Sequence, residues 1–196
     1  MPFLQPVTLK GTHATLTPLV PDHARALSDA ARDGELWRLW YTTVPAPEDM
    51  SREIDRRLSL LAAGSMLPFT VLDSTGTPVG MTTYMNVDAV HHRVEIGSTW
   101  YAARVQRTAL NTECKLLLLT HAFEQLQCIA VELRTHILNT QSRRAIERIG
   151  AKLDGILRNH MRMPNGTLRD TVVYSIIESE WPTVRAHLRW QLEKDR

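Results

Sequence analysis

The sequence predicts an α+β fold, a mixed and mostly antiparallel sheet flanked by helices, with one βαβ crossover. Three observations carry this. Helical spacing of apolar residues up to Ala63 gives way to strand-like runs from Pro68 onward. A strand-like run at 93–101, an apolar helix at 111–126 and an alternating strand at 128–138 together make a crossover unit. Asn165-Gly166 sits between two strand-like runs, and Asn-Gly favours a type I′ hairpin turn, in which both central residues need positive φ.

Each element has its own signal. Val7–Leu19 alternates in part around Gly11 and reads as a strand or hairpin. Asp22 precedes the Ala-rich stretch His23–Ala31, a helix with Asp22 as its cap. Trp37, Trp40 and Tyr41 crowd the next connection, which Pro45-Ala46-Pro47 breaks. Asp49–Ala63 places Met50, Ile54, Leu58 and Leu61 at helical spacing, with Gly64 past the end. Pro68–Leu72 and Val79–Val87 read as strands around the turn Asp73–Thr77, and Arg93–Tyr101 reads as a third. In the strand 128–138, Ile129, Val131 and Leu133 share one face. Asn139 or Thr140 caps a short helix ending at Gly150. From Ser179 a terminal helix puts Val184, Leu188 and Leu192 on one face and Pro182 in its first turn. The organisation expected is a main domain at 1–178 with a C-terminal helix at 179–196.

Composition narrows the function classes. The chain has 196 residues, 43% of them hydrophobic, and its formal net charge is only +2. That balance, with no aromatic-basic platform despite 19 Arg against 4 Lys, argues against direct nucleic-acid binding. No apolar run approaches the roughly 20 residues that span a bilayer, and no basic segment followed by an apolar one opens the chain. Cys114 and Cys128 are too few for a disulfide framework and lie at no metal-ligand spacing. The expectation is a cytoplasmic protein without metal or membrane contact.

The segment with the most chemistry is Arg104-Val-Gln-Arg-Thr-Ala-Leu-Asn-Thr-Glu113, joining a strand to a helix. A helix N-terminus offers unpaired N–H groups and the positive dipole end. Thr108 and Ala109 let a ligand approach the backbone, and Arg104 and Arg107 add positive charge. Such a segment can hold a phosphate-bearing ligand. An ordinary helix start with Asn111 or Thr112 as N-cap accounts for the same residues equally well.

Glu95-Ile-Gly97 followed by Arg107-Thr-Ala-Leu-Asn-Thr-Glu113 and Phe123 resembles motif A of the GNAT acetyltransferases. Leu138-Asn-Thr-Gln-Ser142-Arg-Arg-Ala-Ile146-Glu-Arg-Ile-Gly150 resembles their motif B. The Thr112-Glu113 pair and the Asn139-x-x-Ser142 pattern are similar to those of the RimJ/RimL-like branch, which acetylates ribosomal-protein N-termini. The resemblance runs from about residue 7 to 182 and implies the GNAT fold over 1–178. It implies acetyl-CoA as co-substrate, no metal, and an amine acceptor such as a protein N-terminus, attacked directly in a ternary complex. Coenzyme contacts are implied for Arg104, Arg107, Thr108, Ala109, Leu110, Asn111, Thr112, Asn139 and Ser142. An oxyanion-stabilising N–H is implied near Thr99, Trp100 and Tyr101.

Two residues depart from the family pattern. Arg107 stands where a Gly is usual, a position for which only Gly takes positive φ freely. Ile146 stands where a Tyr often protonates the leaving thiolate, so Ser142 or a water takes that role. Both departures also suit an alternative, a catalytically degenerate domain that binds coenzyme A as a sensor or scaffold.

Glu95, the only carboxylate on its strand, is the first candidate for general base, against a plain ion pair with Arg93 or another cation. Alternation puts Glu95, Gly97 and Thr99 on one face and Ile96 and Ser98 on the other, and a bulge, common in this strand of the family it resembles, would reverse the assignment further along. His91 and His92 are the alternative bases, or solvated loop residues. Cys114, in the first turn of its helix, would serve a covalent route only as a thiolate; a small buried residue is the plainer role. Trp37, Trp40 and Tyr41 fall where relatives bind the acceptor, or else pack the core. Arg158, His160, Arg162 and Arg169 on the final hairpin make a solvated basic face, a site for an acidic peptide, or a homodimer contact.

Overall fold

Alternation in the strands and amphipathic spacing in the helices give this chain one sheet with both faces to cover. The computed structural model describes residues 3–194. Its strands are β1 (Leu9–Lys10), β2 (Ala14–Pro18), β3 (Leu67–Asp73), β4 (Pro78–Asp88), β5 (Arg93–Tyr101), β6 (Ala130–His136), β7 (Lys152–Arg162) and β8 (Leu168–Ile177). Its helices are α1 (Ala24–Arg32), α2 (Met50–Ala62), α3 (Ala109–Thr120), α4 (Thr140–Arg148) and α5 (Trp181–Glu193). The eight strands form one sheet in the order β1-β2-β3-β4-β5-β6-β8-β7. Every neighbouring pair is antiparallel except β5 and β6, which α3 joins by the crossover.

The helices split between the two faces. Leu27, Ala30 and Ala31 of α1 and Met50 and Ile54 of α2 bury Met81 and Trp100. Leu118, Leu119, Ile146, Val184 and Leu188 of α3, α4 and α5 cover Phe69, Val94, Val131 and Ile176 on the other face. Trp181 stacks on Phe123 with ring centroids 5.3 Å apart, which locks the start of α5 against the end of the α3 segment. That segment closes in a π-helical turn, His121–Gln125. No helix among the described residues is long and apolar enough to cross a membrane.

Several local expectations shift. Asp22 does not cap α1: it lies in a 3-10 turn, Pro21–His23, and no side chain caps the helix. Gly64, at φ 72°, does terminate α2 in the left-handed conformation expected there. Ile129 precedes β6 and is 49% exposed, so only Val131 and Leu133 of the expected trio are buried. The β7–β8 hairpin is present, but its turn is not type I′, since only Gly166 has positive φ, at 85°. Pro164 sets φ for the first central position of a type I turn, and Gly166 N–H donates to the Met163 carbonyl at 2.9 Å.

Candidate active site

Parallel pairing between β5 and β6 covers three positions, Arg93–Ala130, Val94–Val131 and Glu95–Glu132, and then stops. From Ile96 onward the edge of β5 that faces β6 has no ladder partner. A strand edge left open inside a sheet is a place for a ligand to add its own backbone. Across the other edge, Gly97 faces Thr83 and Trp100 faces Met81, so β5 carries one extra residue there. The bulge is Ser98, at φ 47°.

That bulge reverses the expected facing of Thr99. Its Oγ1 lies 2.8 Å from Thr82 Oγ1 and accepts from Lys115 Nζ at 3.3 Å, on the α3 side of the sheet. Glu95 and Gly97 face the α1/α2 side instead, as shown by Met85 and the Glu95 carboxyl lying against Gly97. Trp100 packs beneath α1 and α2, and Tyr101 sits on the opposite face beside Cys114. The aromatic side chains of Trp100 and Tyr101 are therefore core, and what this segment offers a ligand is backbone.

The loop into α3 is built for close approach. Arg107 adopts the left-handed conformation, φ 59°, which Gly takes most freely. Thr108, not Asn111 or Thr112, is the N-cap: its Oγ1 accepts from Leu110 N–H at 3.3 Å and donates to the Val105 carbonyl at 2.7 Å. Arg107 and Thr108 are exposed, and Ala109 and Asn111 half-buried, at the open helix end. Leu110 points into the core. Thr112 is fully buried, and its hydroxyl accepts from Arg148 of α4 at 2.9 Å. Arg104 is turned toward the α1–α2 connection, where it meets the Asp33 carboxylate at 3.2 Å. Glu113 is structural: its carboxylate accepts from the backbone N–H groups of Thr12, His13 and Ala14 at 2.9, 2.5 and 2.7 Å.

On the other side of the opening, Asn139 caps α4 through Oδ1, which accepts from Ser142 N–H at 3.0 Å. Ser142 is half-buried in the first turn of α4. Ile146 faces the core at 7% exposure, so its position supplies no acid to the cleft.

Glu95 stands at the vertex where β5 and β6 part. Its Oε2 accepts from Asn86 Nδ2 at 2.7 Å and lies 3.4 Å from Arg134 Nε. Burial pushes its pKa up, and Asn86 and Arg134 only partly offset this. The ion pair is thus with Arg134; Arg93 pairs with Glu132 at 2.6 Å. His91 is engaged with Asp88, and His92 with the Leu126 carbonyl, so neither serves the cleft. Burial pushes the Cys114 thiol up to about 12, which keeps it protonated and removes a covalent route through it.

The α1–α2 connection brings Trp40 and Tyr41 against His136 at the end of β6, with ring centroids 5.3 and 6.3 Å from the imidazole. Trp37 makes no ring contact with them among the described residues. The basic hairpin residues separate: Arg158 pairs with Asp170 at 2.5 Å, whereas His160 and Arg169 both bond Thr171 Oγ1, at 3.0 and 2.9 Å. Sequence reasoning missed His136, Arg134, Asn86 and Lys115. The signal for two of them was present, since the alternation that buries Val131 and Leu133 puts Glu132, Arg134 and His136 on the opposite face. Lys115 is buried in α3, and burial brings its pKa down to about 8.

A family model for the GNAT acetyltransferase domain matches residues 13–152. YdaF of Bacillus subtilis strain 168, provisionally named a ribosomal N-acetyltransferase, is 29% identical over 176 residues, covering 86% of this chain and 93% of its own. The crystal structure of a GCN5-related N-acetyltransferase from Brucella melitensis superposes with a TM-score of 0.85 at 28% identity, covering 96% of this chain and 87% of its own. Mycobacterium smegmatis RimJ, solved in complex with CoA-disulfide, shares the fold at a TM-score of 0.80 and 21% identity, covering 95% of each chain.

Proposed function

Because this chain belongs to the GNAT acetyltransferase family, we propose that it moves the acetyl group of acetyl-CoA onto a protein N-terminal amine of the ribosomal-protein type, by direct attack in a ternary complex. The observation that carries the reading is the parting of β5 and β6 at Glu95, beside two helix N-termini. The residues present fit the coenzyme. Arg107, held left-handed ahead of α3, opens the first-turn N–H groups to a diphosphate. Asn139 spends only Oδ1 on its cap, which leaves its Nδ2 to donate to a coenzyme carbonyl.

Glu95 takes the proton from the acceptor ammonium, directly or through one water. Burial raises its pKa and so makes it a stronger proton acceptor than an ordinary carboxylate. The unpaired β5 edge around Thr99–Tyr101 supplies a backbone N–H for the oxyanion. Ser142, in the first turn of α4, is the hydroxyl that meets the leaving thiolate. Holding both reactants in one cleft supplies much of the rate gain. The provisional name of YdaF supports the ribosomal-protein type of acceptor, and cytoplasmic residence follows from that acceptor. Labelled acetyl-CoA with a panel of N-terminal peptides tests the reading: acetyl-peptide is expected, and thioester stability with every amine sinks it.

The burial of Ile146 in the core and the Glu95–Arg134 ion pair favour a second reading, a coenzyme A-binding sensor without turnover. Binding of acetyl-CoA with no thioester consumption would select it.

A further inference from the structure

His136, on the polar face of β6, has no part in the reaction above. His136 is 3% exposed, and its Nε2 has no hydrogen-bond partner among the described residues. Its Nδ1 accepts from the Leu138 backbone N–H at 3.0 Å. An imidazole whose Nδ1 accepts carries its proton on Nε2, so the unpartnered atom is a donor. Leaving such a donor buried and unmet carries its full desolvation penalty. Trp40 lies edge-on to this ring and is itself 45% exposed, so the enclosure opens on the side of the α1–α2 connection.

His136 and Glu95 share one face of the sheet. Arg169 of β8, which bonds Thr171 opposite His136, acts electrostatically on both. Glu95 pairs with Glu132, and β6 runs four residues from there to His136, about 13 Å at roughly 3.3 Å per residue. An extended peptide advances at the same rise. If its N-terminal amine meets Glu95, its fourth residue lies level with His136.

We propose that His136 is a specificity-determining residue whose Nε2–H donates to a backbone carbonyl about four residues from the reacting amine, so that the acceptor is an extended peptide of at least that length. Trp40 and Tyr41 wall the same subsite and pack on the side chain there. Small polyamines reach Glu95 but not this donor. The inference rests on the reading of the chain as a peptide N-terminal acetyltransferase.

The test is a length series of amidated alanine peptides, from two to six residues, scored by kcat/KM at saturating acetyl-CoA. Wild-type protein is expected to gain about tenfold as the peptide grows from three to five residues, the worth of one hydrogen bond. His136→Phe keeps the ring and removes the donor; it should lose that gain while acetylating dipeptides at the wild-type rate. His136→Gln, which restores an N–H near Nε2, should recover it. A wild-type control free of any folding change uses a pentapeptide with an alkene in place of the fourth amide, which should fall to the rate of the tripeptide. A flat length profile in the wild type, or the same step in His136→Phe, overturns the proposal while leaving acetyl transfer intact. Failure of the wild type to acetylate any peptide amine overturns the functional reading, and this inference with it.

Discussion

Glu95 is pulled in two directions. Burial favours its neutral form and raises its pKa, while Asn86 Nδ2 and the Arg134 guanidinium favour the carboxylate. As the proposed general base, Glu95 works only when deprotonated, so the rate should climb with pH through its pKa. Arg134→Met removes a pull toward lower pKa. The acidic limb of kcat/KM should therefore move to higher pH, with rates lost on that limb and retained on the alkaline plateau. Glu95→Gln should abolish that limb and leave acetyl-CoA affinity within a few-fold. A profile unmoved by Arg134→Met shows that another group sets the limb. Glu95 stands out in the sequence because no other carboxylate lies on its strand, and the structure puts it where β5 and β6 part. Its partners do not stand out. Asn86 reaches it from a second irregularity, where Asn86 sits at φ 47° in β4, and apolar alternation announces no such kink. Alternation alone puts Thr99 on the wrong face; the bulge that the family resemblance allows in this strand falls at Ser98 and flips everything after it.

At the scale of elements, long periodic segments were readable and their ends were not. The limits of β5 match Arg93–Tyr101 because alternation and turn residues agree there. The start of α3 was placed late because Thr108, Asn111 and Thr112 are all capping residues, and only the left-handed Arg107 selects Thr108. This gives opposed expectations for two neighbours. Thr108→Val removes the cap and should cost about 1 kcal/mol of stability, weakening acetyl-CoA binding as the first turn frays. Arg107→Gly relieves a left-handed residue that costs roughly 1–2 kcal/mol, less the entropy that Gly adds to the unfolded chain, so the melting temperature should rise or hold. Its loss of charge beside the helix end should still weaken acetyl-CoA binding. Calorimetric titration with parallel melting curves checks both. An Arg107→Gly protein with full affinity would show that the backbone alone holds the diphosphate.

Across the whole molecule, the sheet is two half-sheets joined by little. Strands β1 to β5 form one antiparallel block and β6, β8 and β7 another, linked by the three β5–β6 pairs and by helices packed across one face. The proposed coenzyme site lies in the gap, with α3 starting from the first block and α4 from the second. A ligand held by both blocks binds the native state and has no site on the unfolded chain. At one hundred times its Kd it should add about 2.7 kcal/mol. For a chain of this length that is a rise of roughly 5–11 °C in melting temperature, at about 2–4 °C per kcal/mol. Free coenzyme A should give nearly the same shift, because the proposed holds grip the diphosphate and its linker rather than the acetyl group. Hydrogen exchange adds a spatial reading of the same event. Amides on the open edge of β5 from Gly97 to Tyr101 should gain protection on binding, as should the first turns of α3 and α4, while the β7–β8 hairpin should not change. The absence of a thermal shift at millimolar acetyl-CoA would remove the coenzyme from this cleft. A shift with protection confined to the hairpin would place it elsewhere, and the unpaired edge would then need a different occupant.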